Sequence, residues 1–481
     1  MRRAAKGGFP RRVVGGSARV ARRAQRNPRR SIGLLVALLA FALPLIVDIP
    51  GLDPAGERML AVFLAAIVLF VTEAIPLVAT GVLIILLEVL LISDAALSPL
   101  AEPAIEARDV YASLADPVII LFLGGFLIAD GAAKYALDRN LAALILTPFK
   151  GSARQALLAL MVLTAVLSMF MSNTATTATM FAVLLPVLAG LPTPAARTAF
   201  ALAIPLAANV GGIGTPVGSP PNALALAALG ARGETLSFLT WMIATVPLML
   251  LLLGLGWVFL IRRFLPQDAP LDLSLSTNFN TRPAALIFYA TAGLTVTLWL
   301  TEPLHGIPST TVGFIPVVVL LATQVMSGDD LRALQWPVLW LVAGGIALGN
   351  GVAASGLDEW LVGLVDWSRL TGVVVLAALA ALAWAMSNVI SNSATANLLI
   401  PLALAMASSL EANPIVIALV VAVACSLAMV LPISTPPNAI AYATGAVRTP
   451  DLALVGVVVG LIGVGLLVVV MPWYWHLLGI G

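Results

Sequence analysis

Charge is scarce in this chain, and its scarcity excludes most soluble folds. Only 10% of the 481 residues are charged and 60% are hydrophobic, whereas soluble domains carry about 25% charged residues. The mean hydropathy is +1.05. No polar domain interrupts the apolar runs that recur from residue 31 to the C-terminus. Cysteine is almost missing: Cys425 alone cannot build a disulfide framework or a thiolate metal site within one chain. Two histidines, His305 and His476, stand far apart and leave little room for zinc or haem. No Walker-type glycine loop occurs. An enzyme would need a nucleophile–base pair or a metal constellation, and neither is legible, so no enzymatic activity and no organic cofactor are expected.

Acids are missing from residues 1–30, which hold eleven of the 25 Lys and Arg residues. A cytoplasmic topology anchor is the preferred reading of this arm, with anionic lipid as a contact. A transit peptide or a nucleic-acid patch is the lesser alternative, and no nucleic-acid partner is expected. Apolar runs of about 17 to 25 residues match the hydrocarbon thickness, and helices satisfy their own backbone there. Spans are expected near 31–47, 57–73, 75–93, 117–133, 199–230, 238–262, 284–301, 308–326, 336–356, 414–446 and 452–475. Two further stretches, 155–190 and 372–409, are too long for one helix and carry polar clusters at their middles, so each reads as a re-entrant hairpin. The fold class is therefore an all-α polytopic membrane protein with about eleven crossings. The N-terminus falls inside and the C-terminus outside. On that topology 21 basic residues lie inside and four (Arg58, Arg108, Arg232, Arg369) outside, as the positive-inside rule requires.

An internal repeat organises the rest. Gly124-Gly125 with Leu137-Asp138 returns as Gly344-Gly345 with Leu357-Asp358. Ser168-x-x-x-Ser172-Asn173-Thr174 returns as Ser387-x-x-x-Ser391-Asn392-Ser393. Gly218-Ser219-Pro220-Pro221-Asn222 returns as Ser434-Thr435-Pro436-Pro437-Asn438. Each unit holds five crossings, an odd number, so the second copy is expected upside down relative to the first. The division is an arm over 1–30, a first span and loop over 31–56, a first repeat over 57–264, a linker over 265–283 and a second repeat over 284–481.

These residue types suit ions. Pro-Pro inside an apolar span breaks the helix, and the glycines at 211, 212, 214 and 218 let backbone approach a ligand. Broken helices leave free carbonyls at one end and free amides at the other. Carbonyls and hydroxyls suit a hard cation, while helix N-termini and side-chain amides favour an anion.

At these motifs the sequence resembles the divalent anion/sodium symporter (DASS) family of the ion transporter superfamily, over nearly the whole chain after the arm. The resemblance implies a secondary carrier for dicarboxylates, citrate or sulfate. It places one Na+ at Ser168, Ser172, Asn173 and the Gly218 backbone, and another at Ser387, Asn392 and the backbone near Ser434. The anion would lie between the tips on Asn173, Thr174, Asn392 and Ser393, with Pro220, Thr435 and Pro436 lining its cavity. A homodimer with elevator-like movement is likewise implied. Ser393 departs from the family's usual threonine, which leaves the preferred anion open. In the first hairpin Pro186 falls four residues later than Pro401 does in the second, which reads as an extra helical turn.

Uptake of C4-dicarboxylates (succinate, malate, fumarate) coupled to Na+ is the leading expectation, because no Lys, Arg or His falls in the tips or breaks. Cation-independent exchange, sulfate or citrate transport, and a proton-linked or arsenite-type antiporter are the alternatives. Glu88 and Asp130 lie in or near spans, close to ends or polar neighbours; structural, interfacial and proton-coupling roles stay open for them. Glu73 beside Pro76 reads as an interface marker, Cys425 as a packing residue, and the tryptophans, Trp336, Trp340 and Trp473 among them, mainly as interfacial anchors.

Overall fold

A computed structural model describes residues 28–149, 151–191, 193–265, 277–364, 371–409 and 412–480. The basic arm up to residue 27, most of the linker (266–276), Lys150 and Arg369 lie outside the described residues. Among the described residues there is no β-strand. The helices are α1 Pro28–Ile46, α2 Pro54–Thr72, α3 Leu77–Leu91, α4 Ala107–Ala112, α5 Pro117–Lys134, α6 Leu137–Leu146, α7 Ala153–Phe170, α8 Asn173–Gly190, α9 Pro194–Gly211, α10 Pro220–Gly230, α11 Phe238–Phe264 and α12 Pro283–Leu300. After them come α13 Glu302–His305, α14 Ser309–Val312, α15 Phe314–Ala322, α16 Gly328–Ala333, α17 Trp336–Ala354, α18 Leu357–Gly363, α19 Gly372–Val389, α20 Asn392–Ser409, α21 Pro414–Ser426, α22 Pro436–Ala443, α23 Thr449–Val469 and α24 Met471–Leu477.

Local chemistry sets the ends. Asp53 caps α2 through Gly56 N at 2.7 Å, and Asp116 caps α5 through Val118 N at 2.8 Å. Proline takes the first turn of α2, α5, α9 and α21, where no donor is lost. Nine described helical segments are long and apolar enough to cross a membrane. Burial separates centre from rim: the segment Pro194–Gly214 is 89% buried, Pro283–Leu300 only 33%. The exposed side chains of the rim are apolar, as on α1, where Ile32, Leu38, Leu43 and Ile46 are all at least 60% exposed. A surface of that kind faces lipid.

Several expectations change in detail. The segment expected as a span over 308–326 is two short helices, α14 and α15. The proline pairs do not interrupt helices; they begin α10 and α22, and the non-helical chain precedes them. All four hairpin arms (α7, α8, α19, α20) have 18 residues, so the shifted proline brings no extra turn. Glu88 is not interfacial: it is fully buried in α3, beside Gly351, with neither carboxyl oxygen hydrogen-bonded. Trp336, Trp340 and Trp473 are exposed, but Trp241, Trp299 and Trp475 are fully buried. Each of these three donates to a backbone carbonyl (Ile213, Ser309 and Ala244) at 2.9–3.0 Å.

The order of elements repeats. A glycine-paired helix, a short helix, a hairpin, a broken helix and a long helix run as α5 to α11, and again as α17 to α23. Between them α3 lies so close to α17 that a Cβ on Gly344 would stand 2.6 Å from Gly81 O. Small residues permit that backbone contact within a bundle.

Candidate functional site

Four helices start at one place. The first residues of α8 and α20 are the two hairpin tips, and those of α10 and α22 are the second halves of the broken helices. Ser172 caps α8 through Ala175 N at 3.2 Å, and Ser391 caps α20 through Ala394 N at 3.1 Å. Thr435 caps α22 through Asn438 N at 3.3 Å. A cavity of about 290 Å³ lies between these starts. A helix N-terminus carries roughly half a positive charge, so four of them offer about two, enough to balance a dianion. No charged side chain among the described residues lines the cavity.

The sequence-derived residues divide cleanly. Asn173, Thr174, Pro220, Asn392, Ser393, Thr435 and Pro436 all line the cavity, as do Ser172, Gly218 and Ser434. Ser168 and Ser387 do not; they are fully buried behind the tips. The first of these backs a corner made of oxygen. The side-chain oxygen of Asn173 accepts from Ser168 Oγ at 2.7 Å and faces Gly218 O at 3.1 Å and Ala208 O at 3.3 Å. Carbonyl oxygens facing an amide oxygen repel. Two arrangements relieve this: the amide turns over, so that its two N–H groups face these oxygens while Ser168 Oγ donates to Ala208 O at 2.8 Å, or a hard cation stands among the oxygens. The second corner is also oxygen-rich and unsatisfied: Ser387 Oγ, Asn392 Oδ1 and Thr395 Oγ1 are buried without partners. Ser434 spends its hydroxyl on Asn388 O at 2.9 Å, which leaves its backbone for ligation.

Asn222 and Asn438 brace the two breaks. Nδ2 of Asn222 donates to Gly212 O and Thr215 O, and Nδ2 of Asn438 to Met429 O and Leu431 O, at 2.8–3.0 Å. Two residues of the site carry no sequence signal of their own. Gln335, before α17, donates to Ser172 Oγ at 3.0 Å. Asn209 in α9 crosses to the other repeat, with Nδ2 at 3.2 Å from Thr435 Oγ1 and 3.3 Å from Asn438 Oδ1. Both sit outside the repeated motifs, and only the fold brings them to the cavity.

A bundle with paired broken helices around a central cavity without charged lining among the described residues has the architecture of a multi-pass membrane transporter. Residues 67–424 match the family described as CitMHS, citrate transporter, and the chain belongs to that family. It is similar to the sodium-dependent dicarboxylate transporter SdcS of Staphylococcus saprophyticus, at 29% identity over 92% of this chain and 91% of that one. The protein of the same name in Staphylococcus aureus is 28% identical over 92% and 90%. An uncharacterized transporter of Haemophilus influenzae is 28% identical over 94% and 98%. Among solved structures, the YdaH transporter of Alcanivorax borkumensis shares the fold at a TM-score of 0.58 and 17% identity, covering 84% of this chain and 98% of that one. These matches place the chain among transporters of the CitMHS and divalent anion/sodium symporter type.

Proposed function

We propose that the protein is an inner-membrane secondary carrier that couples Na+ entry to uptake of C4-dicarboxylates such as succinate, malate and fumarate. The observation that carries this is the cluster of oxygens around the Asn173 side-chain amide, with Ser168 Oγ at 2.7 Å, Gly218 O at 3.1 Å and Ala208 O at 3.3 Å. One Na+ is assigned there, with Ser172 contributing through the tip, and a second to Ser387, Asn392 and the Ser434 backbone. The dianion is assigned to Asn173, Thr174, Asn392 and Ser393, with Pro220, Thr435 and Pro436 closing its cavity. Support for the substrate comes from the printed names of the SdcS relatives and from four helix starts facing an uncharged cavity.

Voltage explains the coupling. Bringing one negative charge into an inside-negative cell costs about 2.3 kcal/mol per 100 mV, and a dianion costs twice that. Two Na+ cancel the charge, and a third makes voltage drive uptake. A cation-independent exchanger could place a fixed positive side chain where a sodium would sit, and none lines the cavity among the described residues. The orientation assigned is N-terminus inside, with the two halves as inverted repeats in a homodimer, the tips and broken helices moving together as an elevator.

The test is uptake of labelled succinate into liposomes holding the purified protein. An inward Na+ gradient should drive uptake, and replacing Na+ with choline should abolish it. Equal uptake in choline would overturn the coupling; silence in both, with citrate or sulfate taken up, would overturn the substrate.

A further inference from the structure

Four ionisable residues outside the cavity also stand at matched places. Asp138 and Asp358 are each the second residue of a short helix, α6 and α18, entered through a left-handed residue, Ala136 (φ 54) or Gly356 (φ 65). Arg232 follows Asn222 by as many residues as Arg448 follows Asn438. Locally the two aspartates are alike: Arg139 N donates to Asp138 Oδ1 at 2.7 Å, and Glu359 N to Asp358 Oδ1 at 3.0 Å.

Their long-range partners are not alike. Arg232 of the first half reaches Asp358 of the second, Nη2 to Oδ2 at 3.5 Å. The reciprocal pair is not made. Asp138 is buried to 1% exposure, and its one described partner is the backbone of Arg139. Arg448 is exposed and meets Asp451 in its own helix at 3.9 Å.

Packing shows the same asymmetry. Gly345 of α17 is covered by Leu224 of α10 and Asn397 of α20. The atoms nearest a Cβ on its counterpart Gly125 of α5 are all of Val217 in the non-helical segment, at 3.3–3.7 Å. The central cavity lies along the first turns of α17, at Val338 and Leu341. Past the Gly345 contact a second cavity of about 520 Å³ opens, lined by Arg232 and Asn397. Gly345 and its neighbours Leu224 and Asn397 thus line the second cavity and not the first, and Arg232 lines the second with them.

We propose that Arg232–Asp358 and Arg448–Asp138 are alternating ion pairs: the first closes when the site is shut from the Arg232 side, the second when it is shut from the opposite side. This rests on the alternating-access reading above. A pair bonded in one state only shifts the balance of states by its own free energy. Two matched pairs leave the balance near even and deepen both ends. Partly exposed pairs are modest, so deleting one shifts the populations by about 3- to 5-fold.

The test uses double variants at positions apart in this structure. Arg448→Asp should slow succinate uptake several-fold, and adding Asp138→Arg should restore it to within about two-fold. A purely structural role for either residue gives additive losses. Independently, in a Cys425→Ala background, the pair Arg448→Cys with Asp138→Cys should cross-link with a bifunctional thiol reagent of about 10 Å. The pair Arg232→Cys with Asp358→Cys should do so too, and a molecule with all four substitutions should take one link or the other. Wild-type uptake with neither coupling nor cross-linking between 138 and 448 overturns the proposal. Loss of the wild-type Na+-driven uptake itself would instead overturn the function on which it rests.

Discussion

Asn222 and Asn438 hold the two helix breaks by the same device, each amide nitrogen donating to two carbonyls of the non-helical segment before its helix. Irregular backbone at membrane depth survives only where its polar groups are satisfied. Both residues are almost fully buried, so water does not replace them.

Replacing either with alanine should therefore destabilise the protein. Each change orphans two buried carbonyls, at about 1–3 kcal/mol per group. Asn222→Ala and Asn438→Ala should both lower the thermal midpoint in detergent. The single thiol, fully buried at Cys425, reports the transition by reacting with a maleimide dye as the protein opens. Unchanged midpoints in both variants would remove the bracing role.

Asn173 should behave differently. Its amide closes the proposed ion corner, so Asn173→Ala should abolish uptake with little loss of folded protein, as should Asn392→Ala at the other tip. Gly212→Ala is the sharper test. A Cβ there would stand 2.5 Å from Asn173 Oδ1 and 2.9 Å from its Nδ2, pushing the ligand out of the first corner. Half-maximal Na+ should rise at least ten-fold, while binding of succinate at saturating Na+ changes less. A Na+ dependence identical to wild type would unseat the first ion site.

Much of this was legible because repetition carries information. The Ser-Asn tips and the Pro-Pro-Asn starts recur in order, and the structure brings both pairs to one cavity. What the pattern could not give was lateral neighbourhood. Gln335 and Asn209 reach Ser172 and Thr435 from positions outside the repeated motifs. Glu88 read as a group near a span end, yet α3 packs so closely on α17 that its carboxyl is buried beside Gly351. Proline was misread for a physical reason: a pair that would break a helix interior is well placed in a first turn. The burial of Trp241 was not legible because an indole reads alike at a lipid interface and in a core. Its N–H donates to Ile213 O within the first break, and burial requires such a partner.

Acid should release one surface tether. Lys134 Nζ lies 2.6 Å from Asp330 Oδ2 and 3.0 Å from Val325 O, tying the end of α5 to α16 and the chain just before it. The hydrogen bond from Lys134 is the main cause that pulls the Asp330 carboxyl down to about 2. A carboxylate depressed in the folded state stabilises above its unfolded value, near 3.9, and loses that contribution as pH falls through the folded value. The pair is partly exposed, so solvent screening holds its worth under about 1 kcal/mol. Asp330→Asn should lower the thermal midpoint by a constant small amount from pH 8 to 5, and by less at pH 3. A deficit that grows in acid would contradict the assignment.

The turn before Asp138 should gain from glycine. Ala136 holds φ 54 and ψ 29, while Gly356 holds φ 65 and ψ 9 at the matching place. An L-residue pays about 1–2 kcal/mol to stay left-handed, and glycine returns part of that by its greater freedom when unfolded. Ala136→Gly should thus stabilise by about 1 kcal/mol, and Gly356→Ala should destabilise by a similar amount. No atom lies within 4 Å of a Cβ placed on Gly356, so a loss there is conformational and not a clash. The two variants separate local strain from the gating role proposed for the helices that follow. Asp138 and Asp358 keep their side chains in both, so uptake per folded molecule should stay close to wild type. If Ala136→Gly instead lowers the midpoint, freedom at this turn costs more than its strain, and the left-handed alanine is there to hold Asp138 in place.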